Sequence, residues 1–445
     1  MGTRDASDGR AAQPEWRVRA AELAARGVET VALTIVDNAG ICRVKTFPLA
    51  RLTEVAERGV GMAPCFDVYT SADRMVSSPH LGGPDGDLRL FPDPDRIVPL
   101  AAQPGWAWSP ADRYEQDGRP YASCQRLFAK SAADRAAALG FTLTMGFETE
   151  WILRRPDGTC PTTGPAYGMT RVVELADYGR DLLRALTDQG VRVLQFHPEY
   201  SPGQFEISTA PADGPVAAAD DLVLVRETIR AVSARHGLRA SFAPTFTAGE
   251  VGNGCHLHLG LHRDGTDLHR DPRAPYGLAL DAAAFLAGVL ERLPALLAVG
   301  APSPASYLRL APSRWAGAYR CWGVENREAA LRLVPGDGHA ELKCFDATAN
   351  PYLLAGSVIT AGLAGIAEGA KLPDPVTGDP AGLADVPRLP RSLDEAVDHL
   401  TASDELREAM GEVLYGAVLA VRRAEAEDFA DSDPERIAAD TRWRY

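Results

Sequence analysis

The sequence predicts an α+β protein of two unequal parts, a small mixed domain over residues 15–112 and a larger domain of alternating helices and strands over 113–445. Three observations lead there. The stretch "ETVALTIVDNAGICRVKTFPL" (29–49) reads as two strands about the turn Asp37-Asn38-Ala39-Gly40. A Pro- and Gly-rich passage, "AAQPGWAWSPADRYEQDGRP" (101–120), marks a crossing from one part to the next. Beyond it, helix-like runs stop at Gly140, Gly190 and Gly237, where a left-handed residue closes a helix, and a strand-like run follows each stop.

Taken in order, residues 1–14 are polar and rich in small side chains, which predicts disorder. A short helix is expected from Trp16 to Gly27, and "GDLRLFPDPDRIVPL" (86–100) adds strand to the small domain. In the larger part, helices are expected at Arg126–Leu139, Arg171–Gln189, Val216–Arg235 and Ala279–Val299. Strands are expected at 141–153, 191–197, 204–209, 239–245, 254–262, 319–324, 329–334 and 340–345. The apolar segment "PYLLAGSVITAGLAGIAEGA" (351–370) carries Ser, Thr and small residues with charges soon after, so a buried helix is predicted rather than a membrane span. A helical tail runs from Leu393 to Phe429, and no internal repeat is present.

A formal charge of −14 argues against nucleic-acid or anionic-membrane partners and leaves cationic or amine substrates open. Seven cysteines, an odd number with no C-x-x-C pair, indicate a reducing compartment. No basic stretch followed by an apolar run opens the sequence, so a cytoplasmic location is expected.

The informative residues are polar ones inside apolar strands. In "MGFETEWIL" (145–153), Glu148 and Glu150 fall on one side of a strand, where two like charges repel and neither is cheap to bury. "FHPEYSPGQFEIS" places Glu199 and Glu206 about a Pro-Gly turn, "GNGCHLHLGL" puts His256 and His258 on one face, and "HAELKCF" does so with Glu341 and Lys343. Any one such segment is ordinarily a strand with a solvated face. Four together describe a convergent set of carboxylates and imidazole, the donor set that Mg²⁺ or Mn²⁺ requires, and the cation charge would turn repulsion into attraction. There are more acids than one ion that keeps its waters needs, so two or more ions are expected, an arrangement that serves phosphoryl chemistry. Positive charge for that chemistry is available from Arg309, Arg314, Arg327, Arg332 and Lys343. No P-loop and no Gly-rich dinucleotide loop is present.

Read together, E-T-E, "HPEYSPGQFEIS", "GNGCHLHL", "SYLRLAPS", "NREAALRL" and "ELKCFDATANPYLLAGSVITAGLAGI" closely resemble the glutamine synthetase family, from about residue 29 into the helical tail. The resemblance implies an N-terminal β-grasp domain and a catalytic domain whose antiparallel sheet forms a half-barrel flanked by helices. It also implies homo-oligomeric rings, commonly a dodecamer of two hexamers, with sites shared between subunits. By motif, Glu150, Glu199 and Glu206 would hold the metal near the acyl acceptor, and Glu148, His256 and Glu341 the one near the nucleotide phosphates. Arg327 and Arg332 would face the phosphates of ATP, with His258 by the nucleotide and His339 near a phosphate-side position. Gly252 and Arg309 would position glutamate. Asp67 and Asp87 resemble acids that the small domain lends to a neighbour's site. Asp67, Arg327 and Glu341 are thereby expected to take part in catalysis.

The departures from the family pattern concern the substrate. Trp315 stands where ammonia-using members carry the Glu that binds and deprotonates ammonium, and an indole offers an apolar or cation–π wall instead. Val68-Tyr69-Thr70 replaces the Gly-Ser-Ser that follows the acid equivalent to Asp67. Lys343 and His339 stand where arginines are usual, and Gly260 replaces a hydroxyl residue near the nucleotide. The expected reaction is the ATP-dependent joining of the γ-carboxylate of glutamate to a small organic amine through γ-glutamyl phosphate, as in the family's polyamine, ethanolamine, alkylamine and arylamine ligases. Two other readings stand beside it, a glutamine synthetase using ammonia and a ring-forming pseudoenzyme. Filled metal positions weigh against the last.

Overall fold

The structure, a computed structural model, describes residues 6–445, apart from the side chains of residues 6–13 and Asp213. Its first element, α1 (Ala6–Ala25), already covers residues 6–14, for which disorder was expected, and residues 1–5 lie outside the described residues. The alanine-rich run favours helix even with Pro14 inside it, and Trp16 and Leu23 anchor the helix in the small domain's core.

That domain is a mixed sheet. β1 (Thr30–Val36) and β2 (Cys42–Pro48) form the hairpin, α2 (Leu52–Arg58) crosses, and β3 (Val60–Met62), β4 (Leu88–Pro92), β5 (Val98–Pro99) and β6 (Trp106–Tyr114) complete the sheet. The strand order is β2-β1-β6-β4-β3, with β5 joined to β6, and the first and last strands run parallel at its centre. Val31, Leu33 and Ile35 alternate toward a core shared with Leu52, Val55 and Leu90. The passage 101–120 is not a bare crossing. Its Trp and Ala residues build β6, whose Trp108 indole donates to Thr34 Oγ1 at 2.8 Å, so the limit placed at 112 falls inside a strand.

The larger part follows with α3 (Gln125–Ala138), β7 (Phe141–Arg154), α4 (Met169–Glu174), α5 (Ala176–Asp188), β8 (Val193–Pro198), β9 (Gln204–Thr209), β10 (Ala212–Asp213), α6 (Pro215–Arg235), β11 (Arg239–Ser241), β12 (Cys255–Arg263) and β13 (Thr266–Asp267). After these come α7 (Leu280–Gly300), α8 (Ser306–Arg309), β14 (Tyr319–Val324), β15 (Ala329–Val334), β16 (His339–Leu342), α9 (Pro351–Glu368), α10 (Leu393–Thr401), α11 (Asp404–Asp428) and α12 (Pro434–Thr441). Gly140, Gly190 and Gly237 all take positive φ, as their place after helices requires. The helix expected at 171–189 is interrupted at Leu175, and the expected tail is interrupted after Thr401 because Ser403 accepts from the Leu406 amide and caps a new helix.

The second sheet runs β14-β15-β16-β12-β7-β9-β8, with β10 and β11 on β7 and β13 on β12. It is antiparallel apart from β14 and β15, which pair in parallel. Its two faces differ by strict alternation. Phe147 and Trp151 of β7, Leu257 and Leu259 of β12, and Phe205 and Ile207 of β9 join the core shared with the helices. Glu148, Glu150, His256, His258 and Glu206 therefore point to the other face. α7 and α9 are long and apolar enough to span a membrane, yet most of each is buried inside this fold. They touch at Gly288 and Gly365, where an added Cβ would come within 2.6 Å of the facing backbone.

Candidate active site

Register assembles the site. His256 pairs with Glu148 across β12 and β7, Glu150 with Glu206 across β7 and β9, and His197 with Glu206 across β8 and β9. On the other flank His258 pairs with Glu341 and Glu341 with Arg332. The polar row thus spans neighbouring strands on a single face, and a cavity of about 900 Å³ opens over it.

At one end, His256 Nδ1 lies 2.8 Å from Glu148 Oε1 and 3.2 Å from Glu341 Oε1. Ser208 Oγ donates to Glu148 Oε2 at 2.9 Å. Lys343 Nζ donates to Glu341 Oε1 and Arg332 Nη1 to Glu341 Oε2, both at 3.1 Å. Arg332 is also held by Glu325. His258 Nδ1 and His339 Nε2 share a hydrogen bond of 3.0 Å. Gly260 has a steric reason here, since an added Cβ would meet Thr144 Oγ1 at 2.8 Å.

At the other end stand Glu150, Glu199 and Glu206. Glu150 Oε2 accepts from the Gly254 amide at 2.9 Å and from Gln204 Nε2 at 3.0 Å. Glu199 accepts from the Tyr167 hydroxyl and from the Tyr200 amide. Burial, then the charge of Glu150, push Glu199 up to about 7. Burial and the surrounding glutamates raise Glu206 well above the usual carboxylate range. The first end is opposite in sign. Burial would raise Glu341, but Lys343 and His256 hold it well below the usual range, and His256 does the same for Glu148. Fixed positive charge from Lys343, Arg332 and His256 thus stands beside Glu341 and Glu148, while burial and neighbouring carboxylates favour the neutral form of Glu199 and Glu206.

Among the described residues, three groups have ligand atoms within 4.8 Å of one another: Glu148, Glu206 and His256; Glu148, His258 and Glu341; and His197, Glu199 and Glu206. Oxygen-rich sets with a single imidazole suit a hard divalent cation. Glu150 belongs to none of the three, and one of its oxygens is engaged by Gln204 and Gly254. His197, absent from the sequence-based set, joins one of them. Its signal was the alternation in "QFHPE", which places it two residues before Glu199.

Gly252, Arg309, Arg314, Trp315, Arg327 and Lys343 also line the cavity. Arg309 Nη2 donates to the Lys343 carbonyl at 3.1 Å and lies 3.3 Å from His256 Nε2. Gly254 permits this approach, since a Cβ there would sit 2.4 Å from His256 Nε2 and 2.6 Å from Arg309 Nη2. Trp315 stacks on Tyr200, ring centroids 4.2 Å apart and planes 10° from parallel, and Tyr167 meets Tyr200 edge-on at 5.3 Å. Nothing in the sequence pattern singled out Tyr200 or Tyr167.

Asp67 does not join the cavity of its own chain. Its carboxylate is fully buried, 2.8 and 3.0 Å from Arg113 Nη1, so within this chain it is an ion-pair partner rather than an exposed acid. Asp87 is exposed and accepts from Gln116 at 3.1 Å.

Comparison with known proteins agrees with this geometry. The glutamine synthetase N-terminal domain profile matches residues 16–121, and the glutamine synthetase catalytic domain profile matches 122–438. The chain is 52% identical to the gamma-glutamylpolyamine synthetase GlnA3 of Streptomyces coelicolor over 95% of both chains. Among solved structures, a novel glutamine synthase homolog superposes with a TM-score of 0.86 at 34% identity, covering 94% of this chain and 99% of that one. The GmaS/ADP complex superposes at 0.83 with 29% identity, covering 95% and 98%. The chain belongs to the glutamine synthetase family.

Proposed function

We propose that this protein is an ATP-dependent glutamate–amine ligase, which joins the γ-carboxylate of glutamate to an organic amine and releases ADP and phosphate. The observation that carries the amine assignment is the stacked Trp315–Tyr200 pair, both members of which line the cavity, with Trp315 at the place where the resemblance puts a carboxylate that serves ammonium. The identity to a gamma-glutamylpolyamine synthetase supports the same reading and puts polyamines first among the amines to test.

In the first step a γ-carboxylate oxygen of glutamate attacks the γ-phosphorus of ATP, forming γ-glutamyl phosphate and ADP. In the second, the amine nitrogen attacks the acyl carbon, the carbon–oxygen bond to phosphate breaks, and a proton leaves the nitrogen. We assign Arg309 and the backbone at Gly252 to orient glutamate, and Arg327 and Arg332 to take phosphate oxygens; all four line the cavity. Glu199, held by the Tyr167 hydroxyl and the Tyr200 amide, lies beside the aromatic wall, where its ionised form would attract the cationic amine and accept its proton. The family works with divalent ions, and we assign two or more Mg²⁺ or Mn²⁺ to Glu148, His256 and Glu341 and to Glu199 and Glu206 with His197 or Glu150. Bound there, such ions supply charge neutralisation for the phosphoryl transfer.

We further propose a ring oligomer, two stacked hexamers, in the cytoplasm. The unpaired state of all seven cysteines supports a reducing compartment, and Asp87, exposed although it pairs with Arg89 and Gln116, is a small-domain acid that a neighbouring subunit could reach. Phosphate release with ATP, Mg²⁺ and glutamate across ammonium, ethanolamine, methylamine, isopropylamine, putrescine, spermine, aniline and hydrazine tests the assignment, with product mass followed alongside. An organic amine that clearly outperforms ammonium and yields the matching γ-glutamyl amide is the expected result. Preference for ammonium would overturn it.

A further inference from the structure

We infer that Glu328 is a positioning residue for amine selection, holding Trp315 against Tyr200 from outside the cavity; this rests on the organic-amine reading above. Trp315 has φ of +56°, and so does Ser313 two residues before it. Non-glycine residues keep this left-handed conformation only where their surroundings hold it. What holds it here is a carboxylate. The Trp315 amide donates to Glu328 Oε1 at 2.6 Å, a short, charge-assisted bond.

Glu328 is in turn fixed at its base. Its own amide donates to Asn326 Oδ1 at 3.0 Å, and Asn326 Nδ2 donates to the carbonyls of Val376 and Gly378 at 3.0 and 2.9 Å. Ser313 Oγ donates to Asp379 Oδ2 at 3.3 Å, so both ends of the 313–315 turn are tied to the same 376–379 segment. The indole is left with the stack on Tyr200 as its contact with the cavity wall, and Arg314 between the two left-handed residues is turned into the cavity. Glu328 also follows Arg327 directly, so one turn carries a guanidinium that lines the cavity and a carboxylate that holds the loop bearing Trp315.

This arrangement accounts for a feature that otherwise has no use, a carboxylate beside the amine wall that does not line the cavity. One oxygen of Glu328 accepts from the turn and the other is buried without a hydrogen-bond partner, so a single acceptor oxygen makes the contact that does the positioning. A glutamine, with one oxygen in the same place, should serve as well.

The test is steady-state kinetics on the full-length protein, with Glu328→Ala and Glu328→Gln compared with the wild type, using the preferred amine of the panel. The expected result for Glu328→Ala is an amine KM raised about tenfold, the size of one cation–π contact, with KM for ATP and glutamate and the kcat within about twofold. Glu328→Gln should stay within about threefold of wild type in amine KM. An unchanged amine KM in Glu328→Ala would overturn the inference. So would equal losses in both variants, which would make the carboxylate a proton acceptor or a cation partner. Tyr200→Leu is the second variant, should Glu328→Ala not fold, and is expected to raise amine KM with ATP KM unchanged; an unaltered amine KM there also overturns it. A wild-type enzyme that accepts ammonium alone would sink the functional reading itself, a result separate from any of these.

Discussion

His256 Nδ1 lies 2.8 Å from Glu148 Oε1, across the ladder in which β12 and β7 register these two residues as partners. The contact joins the best-compensated part of the carboxylate row to a ring that also reaches Glu341. A divalent ion among these groups replaces a protein-internal pairing with a stronger one, so cation binding should stabilise the fold. Mg²⁺ or Mn²⁺ at about 100 times its dissociation constant is expected to add about 2.7 kcal/mol, read as a rise in Tm. In Glu148→Gln that rise should fall by more than half. A full rise in the variant would remove Glu148 from the cation site.

Trp315 supplies the sharpest test of substrate choice. Trp315→Glu introduces a carboxylate on the cavity wall and removes the ring that stacks on Tyr200 at 4.2 Å. Activity with the organic amine is expected to drop about tenfold or more in kcat/KM, while activity with ammonium rises. A variant that loses both activities equally would show that the indole is a packing element.

Gly254→Ala should damage chemistry more than folding. Its Cβ would stand 2.4 Å from His256 Nε2 and 2.6 Å from Arg309 Nη2, so both side chains must move. A displacement of about 1 Å in a positioned group costs on the order of 100-fold in rate. The expected outcome is that loss in kcat/KM for glutamate with thermal melting little altered; wild-type kinetics would contradict the placement of Arg309.

Arg113 and Asp67 make the opposite kind of contact. Both are buried, and Arg113 additionally donates to the Ser123 carbonyl and Gln125 Oε1 at 2.6 Å. Removing one partner strands a buried charge, so Arg113→Leu should cost about 3–5 kcal/mol in urea unfolding. A cost below about 1 kcal/mol would mean that Asp67 is rehydrated and free to act elsewhere.

Much of this site could be seen in the sequence because a strand alternates with period two. Glu148 and Glu150, His256 and His258, and Glu341 and Lys343 declare a shared face without knowledge of the partner strand. What the alternation does not carry is the pairing between segments. That Glu199 and Glu206 are joined by His197, and that Gln204 engages Glu150, depends on the β8–β9–β7 register. Tyr200 and Trp315 meet across distant segments, and Glu328 reaches Trp315 only because the 313–315 turn bends through left-handed residues. That the polar run before Trp16 is helical, and that the 101–120 passage contributes β6, were not legible for a related reason: the packing of Trp16 and Trp108 is tertiary.

The alternation of β7 also works as a proofreading device during folding. A slip of one residue against β12 and β9 would turn Glu148 and Glu150 into the helical layer and Phe147 and Trp151 into the cavity. Each large apolar side chain so expelled forfeits about 1.5–3 kcal/mol of burial, before the penalty for immersing two carboxylates among apolar groups. A chain with a misassembled site is thus also an unstable chain. Quality control by the cell needs no knowledge of the chemistry, because the wrong register exposes aromatic surface that chaperones and proteases read.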